Sequence, residues 1–341
     1  MAILGLDIGS KSIKLVQLEK RSPGIFSLMA AGVTNVPGNG LESDNERDIA
    51  AVSEAVKKLI SDTKATVKTA NIILPENKVF TRFIKLPYLT DQEVDSAIAW
   101  QAEPYIPIPL AEANIDYQVL RRVEPASGSP GSVEVLLVAA AKTLIAKYMK
   151  VAEQSDLTIA NVETELLSLA RALAPTNQTV VLADFGSSST SVGVVRDGHL
   201  TLSYSIATGG EVLTRAVSTS LNLGAEQAEE YKRAYGLDAK QGGGKVAEAL
   251  KAVFASIVDE IKKALQYYKT EIGDTNPIST LILAGGTAAM PQVVPYLAET
   301  LGMDVLIGDP FVKIAKDTPM DKSFVAYAPL YGVAIGAAEN Q

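Results

Sequence analysis

The apolar positions of this chain follow two rhythms. In residues 3–18, ILGLDIGSKSIKLVQL, an apolar run meets Asp7-Ile8-Gly9-Ser10 and then apolar and polar residues alternate, the period-two pattern of a strand buried on one face. A further β-type run at residues 25–31 completes a predicted meander whose first hairpin turns at Asp-x-Gly. Ile49, Val52, Val56, Leu59 and Ile60 then recur at helical spacing, and residues 71–74 read as a strand. Farther on, Val246, Leu250, Val253, Ile257, Ile261, Leu265, Tyr268 and Ile272 predict one long amphipathic helix. Residues 281–284 form a buried strand running into Gly285-Gly286-Thr287, and 292–301 is again helical. Strands feeding helices imply an α/β protein built in layers.

The opening pattern returns. Residues 181–195, VLADFGSSSTSVGVV, repeat it at an offset of 177 positions, which lays Asp7 on Asp184, Gly9 on Gly186, Ser10 on Ser187, Ser12 on Ser189 and Gly32 on Gly209. A third strand is expected at residues 200–207, as at 25–31. Two copies opening halves of similar length predict a duplicated lobe. Residues 79–159 carry strands and helices of their own and read as an insertion, with a turn at 125–131. The predicted division is a first-lobe core at 1–78, 160–177 and 320–341, the insertion at 79–159, a second-lobe core at 178–210 and 275–319, and a helical subdomain at 211–274.

Composition narrows the chemistry. The 341 residues hold about two domains. Without cysteine there is no thiol nucleophile, disulfide or Cys-based metal site. The single histidine, His199, follows the hairpin signal Asp197-Gly198, so it is expected in an exposed turn and opposes a His-dependent triad. A net charge of −8 opposes generic nucleic-acid binding. No signal-type segment opens the chain and no apolar run reaches ~18 residues, so a soluble cytoplasmic protein is expected, with no membrane insertion of its own. Gln241-Gly242-Gly243-Gly244-Lys245 lacks the first glycine, the Ser/Thr and the preceding strand of a P-loop, and reads as a loop before a helix.

The two Asp-x-Gly-Ser turns carry the candidate chemistry. Glycine lets backbone N–H groups approach phosphate oxygens, and the hydroxyls of Ser10, Ser12, Ser187, Ser188 and Ser189 add donors. A strand-end carboxylate suits Mg²⁺ held through its water shell. Two such turns across a cleft would clamp a polyphosphate, with Asp7 and Asp184 serving the ligand more than the core.

With Leu283-Ala284-Gly285-Gly286-Thr287, these turns resemble the phosphate and adenosine motifs of the actin/Hsp70/sugar-kinase superfamily. Glu163-Thr164-Glu165 and residues 326–338 with Gly332 and Gly336 are similar to its two connecting segments. The resemblance implies a two-lobed ATPase fold with an FtsA-like insertion in the first lobe, and ATP with Mg²⁺ as ligands. It assigns Mg²⁺ to Asp7 and Asp184, and phosphates to Gly9, Ser10, Lys11, Ser12, Lys14, Gly186, Ser187, Ser188, Ser189, Gly209 and Gly210. Glu229, Lys232, Arg233, Gly285, Gly286 and Thr287 would take the nucleoside, and Glu163 would position water or Mg²⁺. Lys11 stands where small residues are usual, and Ser187-Ser188-Ser189 where strong ATPases have glycines, so binding with slow or negligible hydrolysis is expected.

Narrower motifs, Thr81-Arg82-Phe83-Ile84-Lys85-Leu86-Pro87, Ala97 to Pro107 with Trp100, Asp116-Tyr117-Gln118-Val119 and Ile307-Gly308-Asp309-Pro310-Phe311, resemble the PilM family of type IV pilus assembly. That resemblance implies a peripheral inner-membrane role within a pilus motor complex, through the N-terminal tail of a PilN-type protein, and leaves self-association open. The helix opened by Thr90-Asp91-Gln92-Glu93 and the proline-rich run after it offer Trp100, Tyr105, Ile106 and Ile108 as docking residues, against core packing as the alternative. A small-molecule kinase and an FtsA-like polymer former are the other readings. No catalytic carboxylate near a second substrate can be assigned for the first, and the C-terminal residues 334–341 lack the basic amphipathic helix of the second.

Overall fold

The computed structural model describes residues 2–128, 130–273, 277–318, 320 and 322–341. β1 (Ala2–Ile8), β2 (Ser12–Ser22) and β3 (Ile25–Asn35) form the antiparallel meander, followed by α1 (Glu46–Thr63) and β4 (Thr69–Leu74). The insertion runs through β5 (Val79–Pro87), α2 (Asp91–Ala102), β6 (Ala113–Val123) and β7 (Ser132–Ala141) to α3 (Lys142–Gln154). β8 (Thr158–Thr164) and α4 (Glu165–Leu173) lead into the second copy, β9 (Thr179–Phe185), β10 (Thr190–Arg196) and β11 (His199–Ile206). α5 (Gly210–Leu221), α6 (Ala225–Tyr235) and α7 (Lys245–Tyr267) follow, then β12 (Thr280–Ala284), α8 (Val293–Leu301), β13 (Asp304–Ile307), α9 (Lys322–Ala326) and α10 (Gly332–Glu339).

The repeat is one of topology as well as sequence. One sheet has the order β3-β2-β1-β4-β8 and the other β11-β10-β9-β12-β13, each an antiparallel meander extended by parallel strands. Even the register is copied: Asp7 faces Lys14 across the first hairpin, and Asp184 faces Ser191 across the second. The correspondence stops at the third strand. Gly32 lies inside β3 opposite Leu15, whereas Gly209 comes after β11 at the N-cap of α5. The residues paired with Ile13 and with Thr190 are Thr34 and Ile206, because the first copy's second hairpin is the longer one.

Strand alternation decides what each sheet faces. Leu4, Leu6 and Ile8 bury against α1 and α3, and Val181, Ala183 and Phe185 against α5, α7 and α8. The opposite faces look toward one another across α4 and α10, where Leu166, Leu169, Val333 and Ala337 meet Val180 and Leu182. Close approach there requires glycine: a Cβ on Gly336 would stand 1.9 Å from the Ser168 carbonyl oxygen. Asp7 and Asp184 lie on these inward faces, at the carboxyl ends of β1 and β9, where open α/β sheets place their ligand crevices.

The expected insertion divides in two. β5, β7 and β6 form a separate three-stranded sheet covered by α2, with Ile84, Val94, Ile98, Val133 and Val135 in its own core. α3 instead sends Tyr148, Val151 and Ala152 into the first-lobe core beside α1. Gly128 and Gly131 take positive φ in the β6–β7 turn, and Ser129 of that turn lies outside the described residues. His199 is exposed after an Asp197-Gly198 turn with φ of 53° and 81°, and Gly242–Gly244 is a short turn leading into α7.

Candidate functional site

Between the lobes lies a cleft of about 600 Å³, and both hairpin turns open onto it. Gly9, Ser10, Lys11 and Ser12 line it from the first lobe, and Gly186, Ser187, Ser188 and Ser189 from the second. The Gly9 N–H donates to the Ser12 carbonyl at 3.1 Å, closing the first turn. Gly285, in the turn after β12, has φ of 83°, and a Cβ there would stand 2.5 Å from Oδ1 of Asp184. Gly286 and Thr287 continue that wall, and Gly210 lies beside it, with Gly209 one residue back at the N-cap of α5.

α6 lines the cleft next to Gly210. Glu229, Lys232 and Arg233 share one helical face, with Lys232 buried and Arg233 reaching into solvent. Lys232 is 4% exposed and donates to the Gly210 carbonyl at 3.0 Å, to Thr214 Oγ1 at 2.9 Å and to Glu229 Oε2 at 2.6 Å. Arg233 Nε donates to the other Glu229 oxygen at 2.7 Å. Burial works against the Glu229 charge, yet Lys232, Thr214 and Arg233 together hold its carboxyl down at about 2.

At the floor, Lys14 Nζ donates to Asp7 Oδ2 at 3.0 Å, with both groups buried. Burial disfavours the Lys14 charge, but Asp7, with Asp184 and Glu165 behind it, outweighs that and holds the ammonium above its ordinary range. Asp184 has no such partner. Burial pushes its carboxyl up to about 6 against the pull of Lys14, and Asp7 and Glu76 add repulsion. Glu165 is pushed well up by burial and by Asp184 and Asp7. Among the described residues no three carboxylates or imidazoles converge to hold a metal directly.

Two expectations need correction here. Glu163 is not at the cleft: in register with Ile73 and through it with Asp7, it lies on the same sheet face but on the far strand β8, where Arg171 Nη2 donates to it at 2.6 Å and Asn340 Nδ2 at 3.4 Å. Glu165, at the start of α4, occupies the cleft wall instead. Asp7 is not a free turn carboxylate either, since it is the counter-ion of a buried lysine. The residue with no sequence signal at all is Glu76. It is 2% exposed, its N–H donates to Glu165 Oε2 at 2.9 Å, and its carboxylate accepts from Leu166 N–H at 3.1 Å and from Ser203 Oγ at 2.5 Å. It ties the first lobe to β11 through a short turn that carries no motif.

A second cavity of about 450 Å³ lies on the far side of that turn, between the insertion and β11. Tyr105 and Ile106 line it, together with Arg82, whose guanidinium sits 5.0 Å from the Tyr105 ring centre and 5.1 Å from that of Tyr267. Ile106 is only 7% exposed and, with Ile108, packs into the insertion's core, so both are core residues first. Trp100 is 77% exposed on α2, off the Val94–Ile98 stripe and away from either cavity.

Comparison with known proteins gives the same outline. The chain is similar to the cell division protein FtsA of Streptococcus pneumoniae serotype 2 (strain D39 / NCTC 7466), 25% identical over 88% of this chain and 74% of that one. Its fold is that of a solved PilM-PilN type IV pilus biogenesis complex, with a TM-score of 0.83 and 23% identity over 99% of this chain and 97% of that one. MreB5 of Spiroplasma citri, solved bound to AMPPNP, shares the fold at a TM-score of 0.55 and 14% identity over 98% and 94%. No helix among the described residues is long and apolar enough to cross a membrane. With the sequence model of the type IV pilus assembly protein PilM matching residues 5–340, this chain belongs to the PilM family.

Proposed function

We propose that this chain is a nucleotide-binding scaffold of type IV pilus assembly. In this reading Mg-ATP sits between the lobes, and the insertion docks the N-terminal tail of a PilN-type inner-membrane protein. The observation that carries the nucleotide half is the pair of registered Asp-x-Gly-Ser turns facing across one cleft. Ser10, Ser12, Ser187, Ser188, Ser189, Lys11 and Lys14 would meet the phosphates, and the Gly285-Gly286 wall with α6 the nucleoside. The floor suits a cation, because Asp184 and Glu165 are crowded carboxylates with Lys14 as their nearest buried counter-charge. Lacking a direct ligand set, Asp7 and Asp184 would hold Mg²⁺ through its waters, where it would offset phosphate charge. Glu165, its carboxyl raised by burial and by Asp184 and Asp7, is the cleft carboxyl that would orient water, and the serines 187–189, where strong ATPases have glycines, support slow hydrolysis.

Family membership supports the pilus role, and the similar PilM-PilN complex supports the partner. The second cavity is the groove this reading selects, with Tyr105 and Arg82 as its anchors. The chain would then sit in the cytoplasm, peripheral at the inner membrane through its partner. Calorimetric titration with a synthetic PilN-type N-terminal peptide tests it. Tyr105→Ala and Arg82→Ala are each expected to weaken binding about tenfold or more, since aromatic and arginine anchors dominate such interfaces. Peptide binding equal to wild type in both variants would move the groove elsewhere.

A further inference from the structure

Glu211, in the first turn of α5, lies between the two phosphate turns. Its carboxylate is 3.4 Å from Nζ of Lys11, on the turn of the first lobe, and accepts from Ser187 Oγ, on the turn of the second, at 3.3 Å. The positive end of the α5 dipole favours an anion there as well. The α5 amides themselves are engaged, Gly210 N–H with the Gly186 carbonyl and Glu211 N–H with the Ser187 carbonyl, both at 2.9 Å. Two of the groups that would meet the phosphates, the Lys11 ammonium and the Ser187 hydroxyl, are instead held by one side chain.

We infer that Glu211 is a specificity residue acting as a resident competitor for the terminal phosphate of a nucleotide. The inference rests on the nucleotide reading of the cleft. A triphosphate reaching between the turns must take Lys11 and Ser187 from Glu211 and then remain near its negative charge. A diphosphate, one group shorter, meets that competition less. The Lys11–Glu211 pair is partly exposed, so the competition is moderate and the carboxylate is free to turn into solvent. Glu211 thereby sets how strongly the cleft prefers ATP over ADP, and Lys11 contributes its charge only after leaving Glu211.

The test is calorimetric titration of Mg-ATP and Mg-ADP into wild type, Glu211→Gln, Lys11→Gln and the double variant, each shown to be folded by its thermal melt. Glu211→Gln is expected to bind ATP about threefold to tenfold more tightly, with a smaller gain for ADP. Lys11→Gln is expected to weaken ATP binding more in the Glu211→Gln background than in wild type, because there the lysine has no competing partner. Unchanged or weaker ATP binding in Glu211→Gln would overturn the inference, as would equal gains for ATP and ADP. Wild type binding neither nucleotide would overturn the nucleotide reading itself and this inference with it.

Discussion

Asp7 and Asp184 are equivalent by register and opposite in circumstance. Asp7 faces Lys14, so Asp7→Ala strands a buried ammonium, a change that costs about 3–5 kcal/mol when nothing else compensates. Asp184 and Glu165 also attract Lys14, which places the expected loss at the low end of that range, read as a fall in melting temperature without any ligand. Asp184 faces Ser191 and has only the more distant pull of Lys14 against its burial, so Asp184→Asn is expected to fold as well as wild type or better near pH 7. Its pKa of about 6 lies above the ordinary 3.8, so between those pH values the folded protein holds a proton there that the unfolded chain has released. Stability from this group is therefore full below pH 3.8 and is lost as pH rises through about 6, on the order of 1–3 kcal/mol in all. Melts across that window without Mg²⁺ should show wild type losing ground to Asp184→Asn as pH rises. Parallel curves would mean that Asp184 is already ionised throughout.

At the scale of elements, the sandwiched pair α4 and α10 sets the distance between the sheets. Gly336→Ala forces a Cβ onto the Ser168 backbone, where no flexible side chain can yield, and is expected to cost at least about 1–3 kcal/mol. A melting temperature within a degree of wild type would contradict that packing. The elements themselves were legible because periodicity reports burial directly: the meanders, α1, α7 and β12 all follow from alternation or helical spacing in the chain. What was not legible depended on neighbours. Gly32 and Gly209 match by offset, but hairpin length broke the equivalence. Glu163 and Glu165 differ by two residues, and only where β8 ends and α4 begins decides which one meets the cleft. Ile106 looked like a docking residue because proline punctuates its segment, yet the three-stranded sheet beneath covers it. α3 reads as part of the insertion by sequence order and packs with the first lobe, so residues 79–159 are not removable as one block.

Across the whole molecule, the two cavities share the wall formed by the turn at Glu76–Lys78, and Glu76 reaches from the α4 N-terminus to β11. The cleft and the groove beside the insertion are therefore contiguous through this one turn. That continuity matters only if a nucleotide sets the geometry, so the central claim is nucleotide binding at the paired turns. A ligand specific to the folded state stabilises by RT ln(1 + [L]/Kd), roughly 2.7 kcal/mol at a hundredfold excess over Kd. Thermal melts of wild type and Asp184→Ala with and without Mg-ATP measure this directly. A clear upward shift in wild type that is absent in Asp184→Ala is the predicted result, and no shift in wild type at millimolar Mg-ATP, or an equal shift in both, would contradict it.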